Sequence, residues 1–126
     1  MLQQAAQNQY LNSQVQTASP GDLTLMLYNG CLRFMKMGVI SIEQGKIEEK
    51  HYNLTRALNI IEELQVTLDM KYDISQNLFA LYDYVTRLIT TASLKLDVEK
   101  LQEAITLMSE LRDTWASALK QVKMET

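Results

Sequence analysis

The chain has 126 residues, 47% of them apolar, with 4 glycines, 1 proline and a formal net charge of −3. That length points to one domain with a real hydrophobic core, and the composition excludes both intrinsic disorder and a strand-rich fold full of tight turns. No Lys/Arg run is visible, which argues against nucleic acid as a partner. Cys31, the sole cysteine, can form neither an internal disulfide nor a zinc cluster.

Residues 1–18 are polar, with isolated apolar positions that include Tyr10, Leu11 and Val15. They read as a short, loosely held N-terminal arm. Residues 1–16 lack an apolar stretch and basic residues, so they do not read as a signal peptide. Ser19-Pro20-Gly21-Asp22 reads as a helix start: serine caps an orphan amide, proline suits the first helical position, and Asp22 faces the positive helix end. The first helix is predicted over 20–44, with Gly45 as its stop.

The second helix is predicted over 47–70, on an apolar stripe of Ile47, Leu54, Ala57, Leu58, Ile61, Leu64 and Leu68. Asp73-Ile74-Ser75-Gln76 resembles a capping box. The third helix follows it to Leu96, on a stripe of Ile74, Leu78, Leu81, Val85, Leu88 and Ala92. Asp97 is the expected cap of a fourth helix reaching Lys123, on a stripe of Val98, Leu101, Ile105, Met108, Leu111, Trp115, Leu119 and Val122. Four long helices with short connections imply an all-α, antiparallel four-helix up-down bundle over residues 19–126.

One stripe per helix suffices for such a bundle, and the first and third helices carry more. Leu23, Met26, Leu27, Gly30, Phe34 and Met37 form one face of the first, while Leu25, Tyr28, Leu32, Met35, Val39 and Ile42 form another. Phe79, Tyr82, Tyr84 and Ile89 lie off the stripe of the third. Either these helices are buried on two sides, or part of the surplus is a groove for a partner's amphipathic segment. The 7 methionines and 6 tyrosines suit the second reading. Leu25, Tyr28, Leu32, Phe79, Tyr82 and Ile89 are the candidate contact residues.

Catalytic chemistry is not visible. His51 is the only histidine, and with Glu48 it makes one Glu-x-x-His step where a di-iron bundle uses two. No Ser, Cys or acidic residues group as a triad, no glycine-rich phosphate loop appears, and Cys31 reads as a small packing residue. No catalytic residue, metal ligand or cofactor site is therefore assigned. No run approaches the ~18 apolar residues of a membrane span, so a soluble, cytoplasmic protein without membrane insertion is expected.

The stretch Thr17-Ala18-Ser19-Pro20-Gly21-Asp22-Leu23, followed by Met26-Leu27-Tyr28-Asn29-Gly30, closely resembles the flagellin export chaperone family of bacterial flagellar secretion. The likeness continues through Asn53-Leu54, Ala57, Ile60-Ile61 and Glu63-Leu64, then Leu81-Tyr82-Asp83-Tyr84 and Arg87-Leu88. It closes at Leu111-Arg112-Asp113-Thr114-Trp115. Asn29 stands where Asp is common in the family, and Cys31 where Ala is common. The resemblance implies a cytoplasmic chaperone, not an enzyme, that folds the disordered C-terminal segment of flagellin into apolar clefts. Premature polymerisation is thereby blocked and export assisted. It implies further contacts with the flagellar export apparatus and other flagellar assembly proteins, and an arm whose Tyr10, Leu11 and Val15 cover one cleft until flagellin displaces them. The alternative function is a helical regulatory or structural module that pairs with another folded flagellar assembly protein.

Overall fold

The computed structural model describes residues 18–125, which form four helices: α1 (Pro20–Glu43), α2 (Ile47–Val66), α3 (Asp73–Lys95) and α4 (Val98–Glu125). α1 starts as its sequence requires. The Ser19 hydroxyl accepts from the Asp22 amide at 3.2 Å and donates to the Asp22 carboxylate at 2.9 Å, with Pro20 in the first turn. α1 ends at Gly45, whose φ of 69° suits glycine. The Lys46 amide reaches back to the Ser41 carbonyl at 2.9 Å and the Gly45 amide to that of Ile42 at 3.1 Å, a Schellman closure. α3 closes in the same hand, but with Leu96 at φ 54°, while the Asp97 amide bonds the Ala92 carbonyl at 3.0 Å. Asp97 then caps α4 through the Lys100 amide at 3.2 Å, as expected.

Two local expectations fail. α2 stops at Val66, four residues before Met70. The Thr67 hydroxyl donates to the Leu64 carbonyl and the Asp69 carboxylate takes the Lys71 amide, so polar side chains compete with the helix for its backbone groups. The capping box at Asp73 does not form either. Extended Tyr72 occupies the cap position without a side-chain bond, Asp73 lies inside the first turn, and Gln76 donates instead to the Met70 carbonyl.

α1 packs on α2 and α4, and α3 packs on the same two, so the helices stand as a square of sequential, antiparallel neighbours. The centre holds Met35 and Val39 of α1, Leu54, Ala57 and Ile61 of α2, Val85, Ile89 and Ala92 of α3, and Leu101, Ala104 and Met108 of α4. Gly38 lets α1 and α2 close together: a Cβ there would lie 2.5 Å from Leu54 Cδ2.

Which faces turn inward corrects the sequence reading. On α1 the Tyr28–Leu32–Met35–Val39 face is the core face, and the Leu23–Leu27–Phe34 face stays partly open. On α3 Val85, Leu88 and Ala92 of the expected stripe are buried, but the seam widens and shifts in the first half of the helix. Tyr82 and Ile89 are inside, whereas Leu81 is 38% and Ile74 67% exposed. Both choices satisfy spacings of three and four, and contact with α2 and α4 selects between them.

Candidate functional site

The end of the bundle where α1 begins and α4 finishes is held by three contacts one helical turn apart. The Trp115 indole N–H donates to the Gly21 carbonyl at 2.9 Å, and Lys123 Nζ lies 2.8 Å from Asp22 Oδ1. Between them, Leu119 presses on Gly21 so closely that a Cβ there would lie 2.4 Å from its Cδ2. The lysine, together with Ser19, holds the Asp22 carboxyl below its ordinary pKa. One turn further in, Arg112 donates to Asn29 Oδ1 at 3.3 Å. The two stretches that carry most of the sequence resemblance, on α1 and on α4, are thus the two halves of one helix–helix junction.

Below this junction lies a cleft of about 520 Å³ built by all four helices. Leu23 and Leu27 of α1, Leu64 of α2, Leu68 of the α2–α3 connection, Leu78 of α3 and Trp115 of α4 form its walls, with Glu63 at the edge. Tyr28 and Tyr82 line it too, nearly buried, with their hydroxyls hydrogen-bonded to each other. Burial raises the pKa of both, so the pair stays neutral at physiological pH. Thr24 and Thr67 also line the cleft, but their hydroxyls already donate to the Pro20 and Leu64 carbonyls.

Leu27 and Glu63 line a second groove as well, of about 320 Å³, which runs along α1 and α2 past Ile60 and Asn59 to Phe34 and Arg56. The Phe34 ring has Arg33 at 5.3 Å and Arg56 at 6.0 Å, and meets Tyr52 edge-on. A third groove of about 260 Å³ separates α3 from α4 at Leu81, Leu107, Glu110, Leu111 and Thr114. Sites on different sides of the bundle suit an extended apolar occupant better than a compact small molecule.

The six contact residues read from sequence scatter across this map. Tyr28 and Tyr82 reach the main cleft, Leu32 and Ile89 lie in the core, and Leu25 and Phe79 line none of the three grooves. Phe79 is 37% exposed, and its carbonyl accepts from Gln65. Tyr10, Leu11 and Val15 lie outside the described residues. Sequence reasoning missed Leu23, Leu27, Leu68, Leu78 and Trp115 as cleft residues. No local signal groups them, because they come from separate elements that meet only in the fold.

Among the described residues no three His, Cys, Asp or Glu side chains group to hold a metal, and no helix is long and apolar enough to cross a membrane. Cys31 is fully buried against Met35 and the Ala57 carbonyl, and burial pushes its thiol up to about 12. It is a packing residue rather than a nucleophile.

Comparison with known proteins matches residues 2–122 to the family model described as flagellar protein FliS. The flagellar secretion chaperone FliS of Bacillus subtilis (strain 168) is 40% identical over 116 residues, 92% of this chain and 87% of that protein. That of Escherichia coli (strain K12) is 35% identical over 112 residues, covering 86% and 82%. Among solved structures, one described as a flagellar chaperone from bacteria superposes with a TM-score of 0.75 at 23% identity, covering 94% of this chain and 98% of that one. It matches the four-helix fold.

Proposed function

We propose, from the premise that this chain belongs to the flagellar protein FliS family, that it is a cytoplasmic export chaperone for flagellin. The family is one of secretion chaperones and not of enzymes, and its role implies partners among flagellar proteins. In our reading the client is the C-terminal segment of flagellin. That segment is held in apolar clefts so that it cannot polymerise before export.

The observation that carries this reading is the cleft under the α1–α4 junction, with its continuation along α1 and α2. A disordered client loses chain entropy when it orders, and only a long apolar track offsets that loss. Leucines from three helices and the α2–α3 connection, the α4 tryptophan and two tyrosines make such a track. The arm enters the described structure at Ala18, two residues before Pro20, which lines the cleft. We assign Tyr10, Leu11 and Val15 to a competing occupant, because a short tether holds a segment at a local concentration of roughly millimolar.

Calorimetric titration with full-length flagellin tests the reading. Binding should be nanomolar to micromolar with a clearly negative heat-capacity change, and flagellin lacking its last ~40 residues should not bind. Undiminished binding of the truncated flagellin sinks it. Deleting residues 1–16 should speed association of a labelled C-terminal peptide. An unchanged rate and affinity would remove the arm from the mechanism.

A further inference from the structure

Tyr28 and Tyr82, two nearly buried residues that both line the main cleft, leave one hydroxyl hydrogen without an acceptor. Tyr28 and Tyr82 are 3% and 2% exposed, and their hydroxyl oxygens bond to each other across the bundle. Each phenol carries one hydrogen and can accept as well as donate. Whichever one donates, the other keeps a hydrogen, and neither hydroxyl has another hydrogen-bond partner among the described residues. Other hydroxyls around the cleft are committed to backbone carbonyls, and most of the remaining lining is aliphatic. A single neutral donor therefore remains between side chains that both line the cleft.

Building on the reading of this cleft as a flagellin site, we propose that the Tyr28–Tyr82 pair is a specificity determinant. It selects a client helix whose apolar face carries one hydrogen-bond acceptor, a Gln, Asn, Ser or Thr side chain, among its aliphatic teeth. While the cleft is open, water can take the spare hydrogen. An occupant that expels the water must accept it or strand it. A buried donor left unpaired disfavours a wholly apolar occupant by about tenfold or more. The pair thus separates the proper client from the many amphipathic helices that would fill the same leucine walls.

The test uses the full chain and a synthetic peptide of the last ~40 residues of its flagellin. Each Gln, Asn, Ser and Thr of the peptide is replaced singly by an apolar residue of similar size, and affinities are read by fluorescence anisotropy. Against the wild-type chain, one replacement should weaken binding about tenfold. Against the Tyr28→Phe/Tyr82→Phe double variant the same replacement should change affinity by less than about twofold, since removing both hydroxyls leaves nothing to strand. The single variants Tyr28→Phe and Tyr82→Phe each retain one hydrogen and should keep the discrimination. They give a readout even if the double variant folds poorly. Discrimination absent from the wild type, or equal in wild type and double variant, overturns the proposal while leaving the cleft a flagellin site. Failure of the unmodified peptide to bind the wild type overturns both.

Discussion

The two ends of this bundle are built from the same kinds of residue and solve different problems. At the end that holds the α1–α2 and α3–α4 connections, the turns are three and two residues long, 44–46 and 96–97. The side chains just inside, Val39, Leu54, Ile89, Ala92 and Leu101, are buried. Even the polar groups there are enclosed. Lys50 Nζ donates to the Ser93 carbonyl at 3.0 Å, and Asn53 Nδ2 to Ser41 Oγ at 3.2 Å. At the other end the α2–α3 connection takes six residues, 67–72, α1 begins and α4 finishes. Leu23, Leu27, Leu68, Leu78 and Trp115 at that end are only partly covered and line the main cleft beside buried Leu64. An apolar stripe becomes core or stays open as a cleft wall according to whether a short turn brings the next helix over it.

That contrast predicts a division of labour between stability and binding. Leu54→Ala at the tight end should lower unfolding free energy by about 3 kcal/mol in urea, with the folded fraction binding flagellin normally. Leu27→Ala at the open end should show the reverse: a loss of about 1 kcal/mol or less in stability and about tenfold in affinity. If the two variants behaved alike, the distinction between the ends would fail.

Trp115 stands on the boundary, partly buried yet bonded to the first turn of α1. Trp115→Phe keeps much of the packing and removes the N–H donor. It should cost about 1.5 kcal/mol and weaken flagellin binding, because the cleft wall shifts with the junction. A variant that melts like the wild type but no longer binds would make the indole a contact residue only.

The two tight turns sharpen the comparison further. Both closures need a left-handed residue; one has glycine and the other has Leu96. Leu96→Gly should raise stability by about 1 kcal/mol, with no effect on binding at the far end. The smallest effect belongs to the exposed Asp22–Lys123 pair. The folded carboxyl titrates below its unfolded value. Its stabilising contribution is thus present above the unfolded pKa and is lost as pH falls through the lower folded one. Asp22→Asn should flatten the acid limb of a stability–pH curve in that window, and added salt should mask the difference.

Most signals confined to a few consecutive residues were legible in the sequence, the capping box at Asp73 being the exception because extended Tyr72 takes the cap position. Ser19, Gly45 and Asp97 act on amides or dihedrals within a turn, and each stands where its chemistry predicts. Existence and order of the helices follow for the same reason. The facing of α1 and α3 was not legible, because both offer two overlapping apolar stripes. On α3, positions 81 and 82 satisfy the spacing equally and only the packed neighbours choose Tyr82, while Leu88 of the expected stripe and Ile89 beside it are both buried. The cleft shared this fate. Leu27, Leu68, Leu78 and Trp115 are far apart in sequence, and nothing local marks them as sharing one wall.

The square arrangement of helices has a kinetic consequence. Three of its four sides join helices that follow one another in the chain and can pair soon after the intervening turn forms. The α1–α4 side joins residues such as Gly21 and Trp115, 94 positions apart. Closing a longer loop costs more chain entropy, so this seam should zip last in folding, and the exposed end of α4 beyond it should fray most readily. Amide exchange should therefore be fastest in the last turns of α4. Trp115, which α4 supplies to the cleft wall, is then set in place last.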